Sequence, residues 1–116
     1  MMPSTVYKIC ERALWEEWQR SGVLQGAEID LRDGFIHLSS AAQVRETARQ
    51  HFAGRADLLL IALSAGALDD KLKWEISRGG DLFPHFYGAL PLAAVIWAKP
   101  LPLNSDRRHV FPETPA

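Results

Sequence analysis

The sequence predicts an α+β fold with a mainly antiparallel sheet. Two helical patterns lie in the first half of the chain, and alternating or continuous apolar strands dominate the second half. The regular strand–helix alternation of a doubly wound fold is absent. Neither G-x-G-x-x-G nor G-x-x-x-x-G-K-S/T occurs, which excludes the common nucleotide-binding loops.

The first segment predicts a strand followed by a helix. Residues 6–10 form a short β pattern, and residues 11–21 place large apolar side chains on one side of a helix. Gly22 follows as the expected stop, because glycine adopts the left-handed conformation without steric cost.

The next segment, residues 29–39, predicts a hairpin. Apolar and charged side chains alternate along residues 29–32, as in a half-buried strand. Asp33-Gly34 supplies a hairpin-type turn, and residues 35–39 resume the strand.

A second helix is predicted after this hairpin. Ser40-Ala-Ala-Gln43 has the form of a capping box, in which side chains and backbone amides satisfy one another. Apolar residues recur at helical spacing through residues 44–52, and Gly54 closes the segment. The strand that carries His37 is therefore expected to run directly into a helix N-terminus.

The second half of the chain predicts four strands. A continuous apolar run at residues 58–63 predicts a central strand. Alternation predicts a half-buried strand at residues 72–76, with a short helix as the alternative. An aromatic segment with an internal proline covers residues 83–87, and the last strand covers residues 93–98 before Pro100 and Pro102 end it.

Composition predicts one ordinary globular domain. The 116 residues are 47% hydrophobic and 23% charged, and the net charge is −1. We assign residues 1–116 to a single domain, with a core over residues 6–103 and a polar, loosely held tail over residues 104–116. The charge balance gives no general attraction for nucleic acid or anionic membrane. No signal-peptide pattern or bilayer-length apolar run occurs, so we expect a cytoplasmic protein.

His37 is the first candidate functional residue. Strand alternation puts His37 and Ser39 on one face and the neighbouring apolar residues on the other. If the apolar face packs on the core, His37 faces a cleft beside Ser39, Ser40 and the free amides of a helix start. Such amides favour an anion or a polar ligand oxygen. The alternative is a histidine that is hydrogen-bonded within the core.

Glu75 and the segment LFPHFYG, residues 82–88, carry the other candidates. A carboxylate between large apolar neighbours can act as a general base or stabilise an oxocarbenium ion, since partial desolvation would raise its pKa. The alternative is a solvated Glu75 beside Lys73. His85 and Tyr87 share a face and suit a wall that stacks against a flat ligand, with packing on an edge strand as the alternative.

A metal site would need His37, His85 and Glu75 together, which would supply two imidazoles and a carboxylate. No pair stands at an H-x-H or H-x-x-x-H spacing, and Cys10 is the only cysteine. We therefore expect neither a metal site nor an intrachain disulfide.

Five short motifs stand in order between about residue 6 and residue 103. They are YKI at residues 7–9, DGFIHLSS at residues 33–40, HFAG at residues 51–54, KWE at residues 73–75 and FPHFYG at residues 83–88. Together they resemble a small bacterial family that is catalogued as domain of unknown function 952.

That family is similar in fold to the ADP-ribosyltransferases, whose split α+β sheet holds a dinucleotide in a central cleft. The resemblance implies an ADP-ribosylation-like fold and a nucleotide ligand such as NAD or ADP-ribose. It implies that His37 with Ser39 holds a ribose and that Tyr87 stacks on nicotinamide. It further implies that Glu75 stabilises the ribosyl oxocarbenium. The remaining expected ligand-binding residues stand in or beside the same motifs: Tyr7, Ser40, Trp74 and His85.

Three functions follow from these observations. The first is an enzyme-like site of the ADP-ribosyl transfer type for NAD or ADP-ribose. The second is a non-enzymatic module that binds a small ligand or a partner protein in the same cleft, and the third is a structural protein without a ligand. Convergence of His37, Glu75 and Tyr87 on one cavity would favour the enzyme. We also predict that His37 and His85 line one concave site.

Overall fold

The computed structural model describes residues 3–112 and has α+β architecture. Its eight strands are β1 (Thr5–Glu11), β2 (Val23–Leu24), β3 (Ile36–His37), β4 (Leu58–Ser64), β5 (Leu72–Ile76), β6 (Leu82–Phe86), β7 (Leu90–Pro91) and β8 (Val95–Leu101). Its three α-helices, one more than predicted, are α1 (Arg12–Ser21), α2 (Glu28–Asp33) and α3 (Val44–His51). Short 3-10 turns occupy Gly66–Lys71, Arg78–Gly80 and Leu92–Ala94.

All strand pairs are antiparallel, as the sequence predicts. One three-stranded sheet has the order β1-β4-β8, a second has the order β3-β6-β5, and β2 pairs with β7. The aromatic segment forms β6, which lies between β3 and β5 in its sheet, so the alternative of packing on an edge strand does not apply to it. Residues 83–86 of this strand are buried.

Strand β4 is the core of the fold and confirms the predicted central strand. Its odd-numbered residues pack into a cluster with α1, and its even-numbered residues pack into a second cluster with α3. Both faces of the strand are therefore buried, which explains why residues 58–63 are continuously apolar rather than alternating.

Helix α2 replaces the predicted first strand of the hairpin. The Asp30 side chain accepts a hydrogen bond from the Ala27 amide at 2.8 Å, which is the usual role of a carboxylate at a helix start. Gly34 ends the helix with φ at 82°. Ile29 and Leu31 are 43% and 65% exposed, whereas Asp30 is 2% exposed. Exposed and buried side chains do alternate here, but the buried one is the charged Asp30 and the exposed ones are the apolar Ile29 and Leu31.

The start of α3 contains half of the predicted capping box. The Ser40 amide donates to Oε1 of Gln43 at 3.0 Å. The Val44 amide donates to the Ser40 carbonyl at 3.0 Å, so helical hydrogen bonding begins at Ser40. Ser39 lies one residue earlier, next to this helix start as predicted.

The C-terminal part differs from the prediction in two ways. Strand β8 continues through Pro100, which an edge strand accommodates because one side of it makes no ladder hydrogen bonds. The segment after Asn104, expected to be loosely held, is attached to the turn after α3. Arg107 donates to the Gly54 carbonyl at 2.8 Å, and His109 Nε2 lies 2.8 Å from the Arg55 carbonyl. The last four positions of the predicted tail, 113–116, lie outside the described residues.

Among the described residues, no helix has the length and apolar character that a bilayer crossing requires.

Candidate functional site

A cleft of about 1200 Å3 opens between the two three-stranded sheets. Its lining comes from β1, from α1 and α3, from residues 26–32, and from the β3–β6 pair. The two sheets meet where Tyr7 and Ser39 exchange backbone hydrogen bonds at 2.8 and 2.9 Å. Beyond this contact they separate, so the free edge of β1 becomes part of the cleft.

The free edge of β1 brings backbone polar groups to the cleft. Peptide groups along an antiparallel strand point alternately to its two neighbours. Because the amide and carbonyl of Tyr7 face Ser39, those of Ile9 and Glu11 face the same side, where the cleft begins. These groups can donate to and accept from a bound molecule.

His37 lies in the cleft wall and is held between two carboxylates. Its Nδ1 atom is 2.7 Å from Oδ1 of Asp30, and its backbone amide donates to the same oxygen at 3.0 Å. Its Nε2 atom is 3.0 Å from Oδ2 of Asp33. Ile36 and Leu38 are buried in the core, so the predicted orientation of His37 away from the core is confirmed.

Asp30 is the buried anchor of this wall. Its side chain is fully buried and faces four donors: the Nζ of Lys8, the Ala27 amide, and the amide and ring Nδ1 of His37. Burial alone would raise the pKa of Asp30, but the His37 hydrogen bonds and the positive charge of Lys8 outweigh it. The pKa of Asp30 is consequently held well below its usual range.

Lys8 completes the buried network from β1. Its Nζ lies 2.9 Å from Oδ2 of Asp30 and donates to the His37 carbonyl at 3.1 Å. The Lys8 side chain is only 6% exposed. A buried ammonium requires a countercharge and hydrogen bonds, and here Asp30 and His37 supply both.

His85 stands beside His37, as the register of β3 and β6 dictates. The two ring centroids are 5.7 Å apart, and both residues line the cleft. The prediction that these histidines share one concave site is therefore confirmed. Phe35 stacks on the His85 ring with centroids 4.1 Å apart, and its ring centroid is 4.6 Å from that of His37.

Glu75 contacts His85 from the neighbouring strand β5 and is not itself part of the cleft lining. Its Oε1 lies 2.8 Å from Nδ1 of His85 and accepts a hydrogen bond from the Tyr87 hydroxyl at 2.7 Å. These contacts, that of Tyr87 first, lower the pKa of Glu75, contrary to the predicted increase. The same contact with Glu75 raises the pKa of Tyr87. Neither interpretation from the sequence therefore describes Glu75. Its pKa is lowered rather than raised, and its carboxylate is hydrogen-bonded to His85 and Tyr87 rather than only solvated beside Lys73.

The structure separates the predicted site residues into two groups. Four of them line the cleft: Tyr7, His37, Ser39 and His85. Glu75 and Tyr87 are outside the cleft lining: Glu75 contacts His85, and Tyr87 contacts Glu75. Trp74 lies on the opposite face of β5, packs against the core and is not part of the cleft lining. Ser40 is buried at the start of α3.

Tyr7 and Ser39 form the inner part of the cleft. The Ser39 hydroxyl lies 2.8 Å from Oγ1 of Thr47. The Tyr7 hydroxyl is buried and has no hydrogen-bond partner among residues 3–112. Burial raises the pKa of Tyr7, so it stays a neutral hydroxyl that can donate a hydrogen bond.

Sequence reasoning missed Lys8, Asp30 and Asp33. A signal for Lys8 was present, because a lysine within the apolar run VYKIC must have a buried partner. Asp30 and Asp33 precede His37 by seven and four positions. The spacing alone did not reveal their contacts, which depend on the turn of α2 back toward β3.

In the described part of the chain, no group of three or more histidine, cysteine, aspartate or glutamate side chains is arranged to hold a metal ion. Glu75 and His85 do contact each other, but through Nδ1 and Oε1 in a hydrogen bond. Cys10, which also lines the cleft, is buried, and burial raises the pKa of its thiol to about 12.

Fold and site together define a small α+β protein with a two-histidine cleft between antiparallel sheets. The family model described as a protein of unknown function (DUF952) matches residues 9–98. The chain belongs to this family. No curated protein sequence matches the chain significantly.

Solved structures of one bacterial protein share this fold. The crystal structure of protein CC0527 from Caulobacter crescentus superposes with a TM-score of 0.88 at 43% identity, covering 91% of this chain and 93% of that one. A double variant of CC0527 gives a TM-score of 0.88 at 42% identity, with the same coverage of 91% and 93%. The solution NMR structure of CC0527 gives 0.82 at 43% identity and covers 91% of each chain.

Proposed function

We propose that the cleft binds a nucleotide of the ADP-ribosyl class, such as NAD or ADP-ribose. One observation carries the proposal: an early-strand histidine, followed by a buried serine, is fixed in the wall of a cleft that opens between two antiparallel sheets. This is the arrangement that the resemblance to ADP-ribosyltransferases implies, and the proposed fold class is ADP-ribosylation-like. The cleft volume, about 1200 Å3, exceeds the roughly 300–1,000 Å3 of common small-ligand pockets and suits a dinucleotide.

The proposed ribose contacts are His37 and Asp33. Asp33 is 30% exposed and lies 3.0 Å from Nε2 of His37. Both His37 ring nitrogens face carboxylates, so a ribose hydroxyl would replace Asp33 at Nε2 while the Asp33 carboxylate accepts a hydrogen bond from the neighbouring hydroxyl. Ser39 stands on the same wall.

The proposed diphosphate contacts are two arginines that line the cleft, Arg32 and Arg55. Each already has one carboxylate partner: Arg32 pairs with Asp33, and Arg55 pairs with Glu11. These partners are exposed, and exposed ion pairs contribute little to stability. The guanidinium groups can therefore exchange a carboxylate for a phosphate, whose geometry they fit bidentately.

In the transferase form of the proposal, Glu75 stabilises the positive charge that develops on the ribose. The chain order differs from that of the transferases, because Glu75 precedes Tyr87 here. Leu38 also replaces the glycine that follows the histidine in those enzymes.

A second function, binding without catalysis, is favoured by the position of Glu75. Its carboxylate holds His85 and Tyr87 and is not part of the cleft lining. A module of this kind would use the same cleft to recognise a small ligand or a partner protein. It would keep the His37 contacts and have no turnover.

Ligand binding tests the proposal directly. We expect NAD or ADP-ribose to raise the melting temperature by mass action. Loss of one or two ribose hydrogen bonds in His37→Ala should cost about 1–3 kcal/mol of binding free energy, roughly a 5- to 150-fold weaker Kd. Gln19→Ala, which changes an exposed residue of α1 outside the cleft lining, is the control and should bind as wild type. No binding at millimolar ligand would remove the nucleotide proposal and favour a protein partner or a structural role.

A further inference from the structure

The two cleft histidines differ in how their ring nitrogens are used. Both ring nitrogens of His37 lie within 3.0 Å of a carboxylate oxygen, one on Asp30 and one on Asp33. His85 has a single carboxylate partner, at Nδ1. Within residues 3–112, its Nε2 atom makes no hydrogen bond.

The ring nitrogen of His85 that makes no hydrogen bond, Nε2, is the one available to a molecule in the cleft. His85 is 5% exposed and lines the cleft, whereas Glu75, which occupies its Nδ1 side, does not. A polar atom on such a buried ring is placed for a molecule inside the cleft rather than for bulk solvent. Unlike the Tyr7 hydroxyl, Nε2 is not a buried atom without a partner, so it keeps some solvent access for a molecule that enters the cleft.

The carboxylate at Nδ1 determines which nitrogen can take up a proton. A carboxylate accepts only from a protonated nitrogen, so Glu75 favours the tautomer with hydrogen on Nδ1. Nε2 then carries a lone pair. This is the arrangement by which a carboxylate orients a histidine base in hydrolytic enzymes.

The surroundings of His85 fix the ring in this orientation. The Tyr87 hydroxyl donates to the same Oε1 atom of Glu75 that faces Nδ1, at 2.7 Å. Phe35 covers one ring face at 4.1 Å between centroids. The backbone of His85 belongs to the central strand β6 and follows Pro84, so the ring stands on a rigid support.

We propose that His85 is the proton acceptor of the cleft and that Glu75 and Tyr87 are its positioning residues. The inference rests on the proposed nucleotide function and specifies its chemistry: transfer of the ribosyl group to an oxygen nucleophile, water or an acceptor hydroxyl. In this proposal Glu75 controls the tautomer of His85 instead of stabilising the charge on the ribose directly.

The proton and electrons balance in one displacement. Nε2 of His85 takes the proton of the O–H nucleophile while the oxygen forms a bond to the anomeric carbon of the ribose beside nicotinamide. The carbon–nitrogen bond breaks, and its electron pair leaves with neutral nicotinamide. With water as nucleophile the products are ADP-ribose and nicotinamide, and His85 releases the proton to solvent.

The first test needs neither a ligand nor a variant. Nitrogen-15 NMR of the histidine rings in the wild-type protein should show His85 with hydrogen on Nδ1 and an unprotonated Nε2 at neutral pH. A proton on Nε2 with a bare Nδ1 would overturn the assignment. This measurement does not depend on whether any nucleotide binds.

The second test measures nicotinamide release from saturating NAD. His85→Asn should reduce the rate about 100-fold or more, the usual contribution of general base catalysis, while the Kd for NAD changes less than about 3-fold. Lys73→Gln, which changes an exposed neighbour of Glu75, should keep the wild-type rate. Wild-type protein that binds NAD without releasing nicotinamide, or His85→Asn with an undiminished rate, would overturn the proposal.

Failure of the proposed function gives a different result. In that case NAD and ADP-ribose do not bind at all, and the nitrogen-15 spectrum still reports which ring nitrogen of His85 carries the hydrogen. A bare Nε2 then supports its role toward another ligand of the cleft, and a protonated Nε2 rejects it.

Discussion

The walls around His37 and His85 face the same cleft but are stabilised in opposite ways. His37 is anchored by Asp30, whose side chain is fully buried together with Lys8. His85 is anchored by Glu75, whose side chain is 41% exposed. One wall therefore contains a desolvated ion pair, and the other contains a hydrogen-bonded carboxylate in contact with water.

Because of this difference, we expect the His37 wall to contribute mainly to folding stability and the His85 wall mainly to proton transfer. Buried charges that lose a partner destabilise a fold strongly, so the Lys8–Asp30–His37 network fixes the junction between the sheets. An exposed carboxylate can be altered with little effect on folding. Substitutions of Glu75 should consequently change proton transfer by His85 with little effect on folding. Substitutions of Asp30 should lower the free energy of unfolding.

The largest expected effect is that of Asp30→Asn on folding. The amide leaves the Lys8 ammonium buried without a countercharge, which should cost about 3–5 kcal/mol of unfolding free energy. Urea denaturation monitored by tryptophan fluorescence measures it. Adding Lys8→Met to the same chain removes the unpaired charge and should recover part of the loss. A loss below about 1 kcal/mol would mean that Asp30 does not anchor the cleft, since that is the range of exposed pairs.

Acid should remove the same stabilisation from the wild-type protein. The pKa of Asp30 is lowered in the folded state, so its contribution is fully present above its unfolded pKa, near 3.9. The contribution is lost as the pH falls through the lower, folded value. Unfolding free energies measured from pH 7 downward should decrease below about pH 4 in the wild type. Asp30→Asn should lack this component, and parallel curves for the two proteins would contradict the assignment.

Glu75→Gln should leave folding nearly intact and affect turnover. The amide keeps the size of the side chain but removes the charge that holds the His85 tautomer, so nicotinamide release should fall by roughly 100-fold. NAD affinity should stay near the wild-type value. Thermal melting and a turnover assay on the same sample separate the two effects. A large drop in melting temperature would instead assign Glu75 a structural role.

Tyr87→Phe should give the smallest effect. The tyrosine hydroxyl is the main cause of the lowered pKa of Glu75, so its removal should raise that pKa toward the ordinary value. Carboxyl-carbon NMR titration of Glu75 measures the change. We expect turnover to fall much less than in Glu75→Gln, because the contact between Glu75 and His85 remains. An unchanged Glu75 pKa would show that the Tyr87 contact is not maintained in solution.

The sequence predicted the elements whose patterns are local. The continuous apolar run of β4, the strand β5 and the glycine stop after α1 each depend on nearby residues, and each is found as predicted. The alternation of β5 fails at its end, where Ile76 is 74% exposed. The position of His37 in the cleft also followed from alternation, since Ile36 and Leu38 both face the core.

The parts that failed depend on distant partners. Alternation around Asp30 predicted a strand with Asp30 facing solvent. The structure instead buries the Asp30 side chain against Lys8, which lies 22 positions earlier. The contact of Glu75 with His85 spans 10 positions across the β5–β6 hairpin. Sequence placed both residues in the site, but it gave no means of recognising that one orients the other.

Chemical-shift mapping of the nitrogen-15-labelled protein with ADP-ribose tests nucleotide binding in this cleft, because it shows both whether the ligand binds and where. We expect saturable shifts for backbone amides of residues that line the cleft, with Ile9, Ser39 and Thr47 among them. We expect little change near Ile96, an exposed residue of β8 outside the cleft lining. The same titration of His37→Ala should show the same residues at a weaker affinity. No shifts at millimolar ADP-ribose, or shifts confined to residues outside the cleft, would contradict the claim that this cleft is a nucleotide site.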